Sequence, residues 1–145
     1  MNQNFNIKTL IFTNIYKKEA LSYDFIMLKK EFRLKKRVAF NATYRTGTSI
    51  HKDGITVFCG KLKTQDTATR IGFVVSKKIH KRAVKRNRIK RLMRESVRLY
   101  IKNTYDNLDM KYMSLIFVAS SKLLDKNFNE IDSAIKKIMK VIKND

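Results

Sequence analysis

The strongest chemical signal in the sequence is a run of cationic side chains between Lys77 and Arg98. The run holds eleven Lys and Arg residues and one acid, Glu95, so its 22 residues carry a net charge of +10. Several cations recur at a four-residue spacing, and like charges at that spacing destabilise an isolated helix by roughly 0.2–0.5 kcal/mol per pair. A merely solvated helix would normally intersperse acids, so the pattern favours a polyanionic partner over a role in solubility alone.

The run is amphipathic when it is placed on a helix with roughly 100° per residue. Its apolar side chains fall on one arc, formed by Ile89, Leu92, Met93, Val97 and Tyr100. The opposite arc carries Asn87, Lys90, Arg91, Arg94 and Arg98. The first arc is expected to pack on the protein and the second to face outward. Arg predominates on the second, and its planar fork can bridge phosphates or stack on bases, which favours structured RNA as the partner.

Three aromatic residues form a second candidate site. Phe40 and Tyr44 are four residues apart on a predicted helix and therefore share a face. Phe58 lies on the strand face opposite Ile55 and Val57. Aromatic side chains flanked by cations hold single-stranded nucleic acid by stacking, but three aromatics between a helix and a sheet are more often core. From the residues alone, packing in the core is the favoured interpretation.

The sequence lacks the side chains that a nuclease needs at one site, which are converging carboxylates or general bases. The nearest acidic pairs are Asp106 with Asp109 and Glu130 with Asp132, in a predicted loop and on a helix surface. The two histidines and the one cysteine have no partners at metal-ligand spacing, so a zinc site is not expected. These three residues are His51, His80 and Cys59. No catalytic residue and no metal ligand is predicted in the polypeptide.

Composition supports a nucleic-acid partner for the whole chain. Its 145 residues contain 33 Lys and Arg against 12 Asp and Glu, a net charge of +21. Binding to an anionic membrane surface and simple solubility are the alternative roles for such a charge. A hydrophobic fraction of 43% is typical of a folded domain rather than a disordered basic tail. No apolar run is long enough to span a membrane, and the lack of a secretory signal or paired cysteines predicts a cytoplasmic location.

The periodicity of the chain predicts helices and strands that would position these residues in one α+β domain. The predicted helices are 29–45, ended by Gly47, the basic helix 84–101, and 127–142 with an apolar stripe. The predicted strands are 55–63, 70–76 and the continuous apolar run 113–119. The first two strands are expected to form a hairpin or to be near neighbours. Residues 1–26 differ in character from 27–145, and are interpreted as a loosely attached extension or as an unused upstream start before Met27.

The basic run resembles the signature of the bacterial ribonuclease P protein family. The matching residues are Arg86-Asn87-Arg88 followed by Ile89, Lys90, Arg91 and Arg94, with Ser76-Lys77-Lys78 and Ala83-Val84 before them. The likeness continues upstream through Phe40, Tyr44, Gly47-Thr48-Ser49 and Phe58, and covers the chain from about Met27 onward. The chain departs from the family pattern in the link Ile79–Arg82, where many relatives have a shorter segment with glycine.

The resemblance implies a small four-stranded mixed sheet with three helices and a left-handed βαβ crossover, a fold shared with a domain of a small-subunit ribosomal protein. It implies that the protein binds the catalytic RNA of ribonuclease P through Lys77, Lys78, Arg82, Arg86, Asn87, Arg88, Lys90, Arg91 and Arg94. It also implies a cleft for the 5′ leader of precursor tRNA, formed by Lys36, Phe40, Tyr44 and Phe58, with Arg45 beside them.

In that family the RNA subunit catalyses removal of the leader, with Mg²⁺ bound mainly by RNA and one protein per RNA expected. A ribosomal or other structural RNA-binding protein is the alternative, because it explains the charge equally well. A DNA-binding regulator is less favoured, since nothing in the sequence marks a two-helix reading unit or a dimer seam.

Overall fold

A computed structural model describes residues 28–65, 67–103 and 111–144. The strands are β1 (Thr48–Lys52), β2 (Ile55–Cys59), β3 (Arg70–Val74) and β4 (Ser114–Ala119). The helices are α1 (Arg37–Arg45), α2 (Ala83–Asn103) and α3 (Phe128–Asn144). Short 3-10 helices occupy Lys30–Phe32 and Ser121–Leu123. The fold is therefore α+β, with the three helices and the four-stranded sheet that the resemblance implies.

The strands lie in the order β1-β2-β4-β3, with β4 antiparallel to β2 and parallel to β3. Of the two expectations for β2 and β3, the hairpin is wrong, because β4 lies between them, and the two strands are near neighbours in one sheet. All but one of the β4 residues are buried, and the most apolar strand gains most from a central position with neighbours on both edges. Parallel β3 and β4 are joined through α2, which forms a βαβ crossover.

Periodicity does not locate strand β1, since its burial pattern is almost entirely exposed. It is the edge strand of a hairpin with β2, and the turn is the dipeptide Asp53-Gly54. Both turn residues have positive φ, 50° at Asp53 and 90° at Gly54, which a two-residue hairpin turn demands. The Asp-Gly pair is the local signal from which this strand can be recognised.

One face of the sheet is covered by α2 and α3, which also pack against each other. The predicted apolar arc of α2 is confirmed in its central part, since Ile89, Met93 and Val97 are buried. The predicted stripe of α3 is confirmed as well, and its fully buried members are Ile131, Ile135, Ile138 and Ile142. Cys59, the last residue of β2, is buried in the same core cluster, as the sequence predicts.

Among the described elements, α1 packs on the other face of the sheet, and this helix is shorter than predicted. It begins at Arg37 rather than at residue 29, because the preceding segment is used differently. Phe32 is buried in the core from a 3-10 turn, and Arg33 forms a β-bridge with Ile71 on the edge of β3. The helix ends as predicted, with Gly47 at φ 73° two residues after Arg45.

Some predictions fall outside the described residues. The proposed extension 1–26 and the acidic pair Asp106 with Asp109 belong to this part of the chain, so they stay predictions. Within the ranges that the structure describes, no helix is long and apolar enough to cross a membrane.

Candidate nucleic-acid interface

Helix α2 presents its cationic arc away from the core. Its apolar residues are anchored against the sheet and α3, which sets the rotation of the whole helix. Asn87, Arg88 and Arg91 on the opposite side are exposed, while Lys90 and Arg94 are half-buried. A buried serine on the inner side adds to this anchoring, since the Ser96 hydroxyl donates to Asp132 Oδ1 on α3 at 2.6 Å. The predicted division of the helix into two arcs is therefore present in the fold.

Two cations of this helix are held by contacts within the protein. Arg98 lies on the predicted cationic arc, but its guanidinium donates to both carboxylate oxygens of Glu95, at 2.6 and 2.9 Å. The guanidinium of Arg88 donates to the Lys126 carbonyl over 3.4 Å, which links α2 to the loop before α3. Arg98 is therefore neutralised locally, whereas Arg88 keeps an uncompensated charge at the surface.

The loop before α2 places three predicted contact residues in solvent, namely Lys77, Lys78 and Arg82. Hydrogen bonds within the loop order it: the Lys78 backbone N–H donates to Ser76 Oγ at 3.2 Å. The Arg82 backbone N–H donates to His80 Nδ1 at 3.0 Å. His80 therefore carries its proton on Nε2 in this arrangement and serves to shape the loop.

Arg86 differs from the other cations of α2. Its Nε atom is buried and makes no hydrogen bond within the described part of the chain. A buried donor without an acceptor costs roughly 1–3 kcal/mol, so the fold holds Arg86 in this position at a cost in stability. The remaining predicted contact residues lie on the surface around it.

The aromatic residues meet on the α1 face of the sheet. The rings of Tyr44 and Phe58 are 5.0 Å apart between centroids and nearly perpendicular, at 75°. Phe40 lies over Gly72 of β3, where an added Cβ would be 2.6 Å from the ring. Helix α1 is fastened here by a buried hydrogen bond of 2.6 Å between the hydroxyls of Thr43 and Ser114. The glycine thus makes the space in which the Phe40 ring lies.

These aromatics lie between α1 and the sheet with part of their surface exposed, and they are not members of the buried core cluster. Phe40 and Phe58 are half-buried, and Tyr44 remains 37% exposed. The interpretation that all three are core residues is therefore wrong. Partial burial raises the pKa of the Tyr44 hydroxyl, so it stays a neutral donor over the physiological range. Lys36, exposed at the N-cap of α1, and Arg45, exposed at its end, bring positive charge to either end of the helix.

Several carboxylates of the described residues make structural contacts. Glu130 and Asn127 form a reciprocal cap at the start of α3, with distances of 2.9 and 3.0 Å. Asp132 pairs with Lys136 at 2.8 Å in addition to Ser96. Across the described ranges, no group of three or more His, Cys, Asp or Glu residues is placed to hold a metal ion.

Sequence reasoning missed one cation beside the basic face, Arg33. The helical pattern assigns this residue to a longer first helix, which hides its position. In the structure the charge of Arg33 acts on Arg94. The guanidinium carbon of Arg94 lies 5.8 Å from the centroid of the Phe73 ring. Burial, and then the charges of Arg33 and Arg91, lower the pKa of Arg94. Arg33 is identified by a structural contact, the β-bridge to Ile71, which joins segments that are distant in sequence.

The fold and these two surfaces define a small basic α+β protein built to bind RNA. The family described as Ribonuclease P matches residues 28–143. The chain is 34% identical over 113 residues to the Ribonuclease P protein component of Clostridium novyi (strain NT), covering 78% of this chain and 95% of that relative. It is 36% identical over 113 residues to the same component of an Exiguobacterium species, covering 78% and 91%.

Solved structures agree with this match. The structure of Staphylococcus aureus RNase P protein superposes with a TM-score of 0.63 at 29% identity, covering 79% of this chain and 97% of that one. The chain belongs to the bacterial ribonuclease P protein component family. Its class is therefore that of an RNA-binding subunit in an endoribonuclease of tRNA 5′ processing, as the sequence resemblance indicates.

Proposed function

We propose that the exposed face of α2 and the loop before it dock the protein on the catalytic RNA of ribonuclease P. The observation that carries this proposal is a cationic surface from Lys77 to Arg94, a stretch without an acidic residue, held outward by a buried apolar face. Such a surface releases condensed counterions when it neutralises phosphates, which supplies affinity without sequence readout. The residues assigned to it are Lys77, Lys78, Arg82, Arg86, Asn87, Arg88, Lys90, Arg91 and Arg94.

The cleft on the other face of the sheet receives the 5′ leader of precursor tRNA. Three partly exposed rings, Phe40, Tyr44 and Phe58, supply stacking surfaces, and Lys36 supplies a cation for the leader backbone. Stacking tolerates any base, which suits leaders of differing sequence. The two surfaces lie on opposite sides of one sheet, so a single domain can contact the catalytic RNA and its substrate together.

The chemistry belongs to the RNA subunit in this proposal. Phosphodiester hydrolysis would use Mg²⁺ bound mainly by RNA phosphates. This chain would raise the occupancy of those ions indirectly, by positioning the leader of the substrate. We expect one protein per RNA, acting in the cytoplasm. The described carboxylates support this division of labour, since Glu95, Glu130 and Asp132 are engaged in contacts that hold the helices.

The test is cleavage of precursor tRNA at low Mg²⁺ by a bacterial ribonuclease P RNA, with and without the protein. The wild-type chain should rescue correct 5′ cleavage, and neutralising Arg86, Arg88 and Arg91 together should abolish the rescue. A matched control neutralises three exposed lysines of α3, which carry equal charge on another surface: Lys136, Lys140 and Lys143. This control should retain most of the rescue.

Loss of rescue in both triple variants would attribute the effect to total charge rather than to the α2 face. Absence of rescue by the folded wild-type chain, with several catalytic RNAs, would leave a structural RNA-binding protein as the better function. The RNA that co-purifies with the chain separates these cases, one defined transcript against ribosomal RNA. Competition by duplex DNA would instead favour a DNA-binding role.

A further inference from the structure

The segment before α1 brings an additional arginine to the edge of the sheet. Residues 33 and 34 run parallel to β3, where Arg33 bridges Ile71 and the Leu34 N–H donates to the Ile71 carbonyl at 2.9 Å. The Arg33 Nε donates to the Leu28 carbonyl, which fixes the root of its guanidinium. The terminal nitrogens of that guanidinium make no hydrogen bond within the described part of the chain.

The pleat of the sheet determines the face to which Arg33 belongs. Paired residues of parallel strands point to the same side, so Arg33 shares the side of Ile71, which is buried in the core under α2. Phe73, two residues further along β3, lies on that side as well and stacks on Phe117 with centroids 5.6 Å apart. Arg94 of α2 rests on the Phe73 ring. Arg33 is therefore carried to the flank of the basic helix.

The electrostatics of Arg94 agrees with this placement of Arg33. After burial, the charges of Arg33 and Arg91 are the causes that lower the pKa of Arg94. Among the ion pairs of the described residues, none involves a carboxylate with any of the three arginines. Three neighbouring guanidiniums without an anion repel one another, and this repulsion is relieved when a phosphate lies between them.

We propose that Arg33, Arg91 and Arg94 together bind one backbone phosphate of the catalytic RNA, at the place where the β3 edge meets α2. This inference rests on the proposed docking of α2 on that RNA and extends the contact surface to the segment before α1. Phe73 and the Leu28 carbonyl hold two of the three arginines in place, so the site is formed before the RNA arrives. Pre-organisation of this kind reduces the side-chain entropy lost on binding.

The experiment measures the affinity of the full chain for a bacterial ribonuclease P RNA over a series of salt concentrations. Arg33→Gln should weaken binding by about tenfold, as expected for loss of one charge-assisted contact. Combined with Arg94→Gln it should flatten the slope of log affinity against log salt by about 0.9, the value for one lost phosphate contact. Because the arginines share one anion, the double variant should lose less than the product of the two single effects.

Two variants separate this effect from damage to the fold. Arg33→Lys keeps the charge without the planar fork and should restore most of the salt slope. Lys140→Gln removes one charge from α3, which packs under β1 and β2, and should leave the affinity within about twofold. Thermal unfolding followed by circular dichroism confirms that each variant is folded.

Unchanged affinity and salt slope in folded Arg33→Gln, with tight binding by the wild-type chain, would overturn the proposed site. Lost affinity for precursor tRNA in the assembled enzyme, with catalytic-RNA affinity intact, would also overturn it by assigning the phosphate to the substrate. Failure of the wild-type chain to bind the catalytic RNA would instead remove the proposed function on which the site depends.

Discussion

The two faces of the sheet are built for different purposes. One face is covered by helices of 21 and 17 residues, and its side chains are almost completely withdrawn from solvent. On the other face, the described part of the chain places one helix of nine residues, and strand residues such as Phe58 stay partly exposed. Val57 and Phe58 are neighbours on β2, yet Val57 is fully buried on the first face whereas Phe58 is half-exposed on the second.

This difference predicts that stability and binding can be separated within one small domain. The covered face closes the hydrophobic core and fixes the rotation of α2, so the basic arc points outward. On the open face the rings of Phe40, Tyr44 and Phe58 stay partly exposed beside α1. Substitutions on the covered face should therefore act on folding, and those on the open face should act on binding.

The largest effect is expected from a cavity on the covered face. Phe117→Ala removes a fully buried ring of the central strand and should lower the free energy of unfolding by about 3–5 kcal/mol. Urea unfolding followed by circular dichroism measures the loss. Phe58→Ala on the open face is the matched control and should cost less than half as much. Equal losses for both would remove the distinction between the faces.

The second effect concerns binding through the open face. Phe58→Ala should weaken the affinity of the assembled enzyme for precursor tRNA by about 1–3 kcal/mol, because one stacking platform is lost. Affinity for tRNA without a leader should stay unchanged. The comparison is made by titrating both substrates under identical salt and Mg²⁺ conditions. An equal loss for the two substrates would contradict a leader-binding role for the cleft.

A third effect tests the space under Phe40. Gly72→Ala places a methyl group against the ring and should cost about 1 kcal/mol of stability from overpacking. It should also weaken leader-dependent binding, since the ring is displaced from the cleft. Adding Phe40→Leu should recover the stability but not the binding. Recovery of both by the double variant would show that the ring itself is dispensable.

The smallest effect lies at the β1–β2 turn, away from both faces. A hydrogen bond from Lys137 at 3.1 Å, and then its charge, lower the pKa of Asp53. A lowered carboxylate pKa contributes stability above the ordinary value of about 3.9, and this is lost as the pH falls through the folded-state value. Asparagine tolerates the positive φ of 50° at this position. The Asp53→Asn variant should therefore be slightly less stable than the wild-type chain only at pH values above about 3.9.

Urea unfolding of Asp53→Asn and the wild-type chain at neutral pH and at about pH 3 measures the difference. The difference in free energy of unfolding between the two proteins should be smaller at the lower pH. A difference that is the same at both pH values would attribute the effect to the turn geometry rather than to the ion pair. Because the pair is exposed, raising the salt concentration should also reduce the difference.

Local sequence patterns were enough to predict several structural features of this protein. The amphipathic division of α2, the apolar stripe of α3 and the stop at Gly47 follow from spacing along one helix. Such features depend on residues three or four apart, so they need no knowledge of distant partners. The prediction that the basic arc binds RNA follows in the same way, from charge and spacing.

Only the tertiary structure decided the features that join distant segments. Strand β4 enters between β2 and β3, which separates two strands that are close in sequence. The Ile71 backbone recruits residues 33 and 34 to the sheet edge and so delays the start of α1. That same pairing brings Arg33 to the sheet edge, on the side that α2 covers. Strand order and edge pairing depend on contacts across the whole chain, because periodicity shows which face is buried and not what covers it.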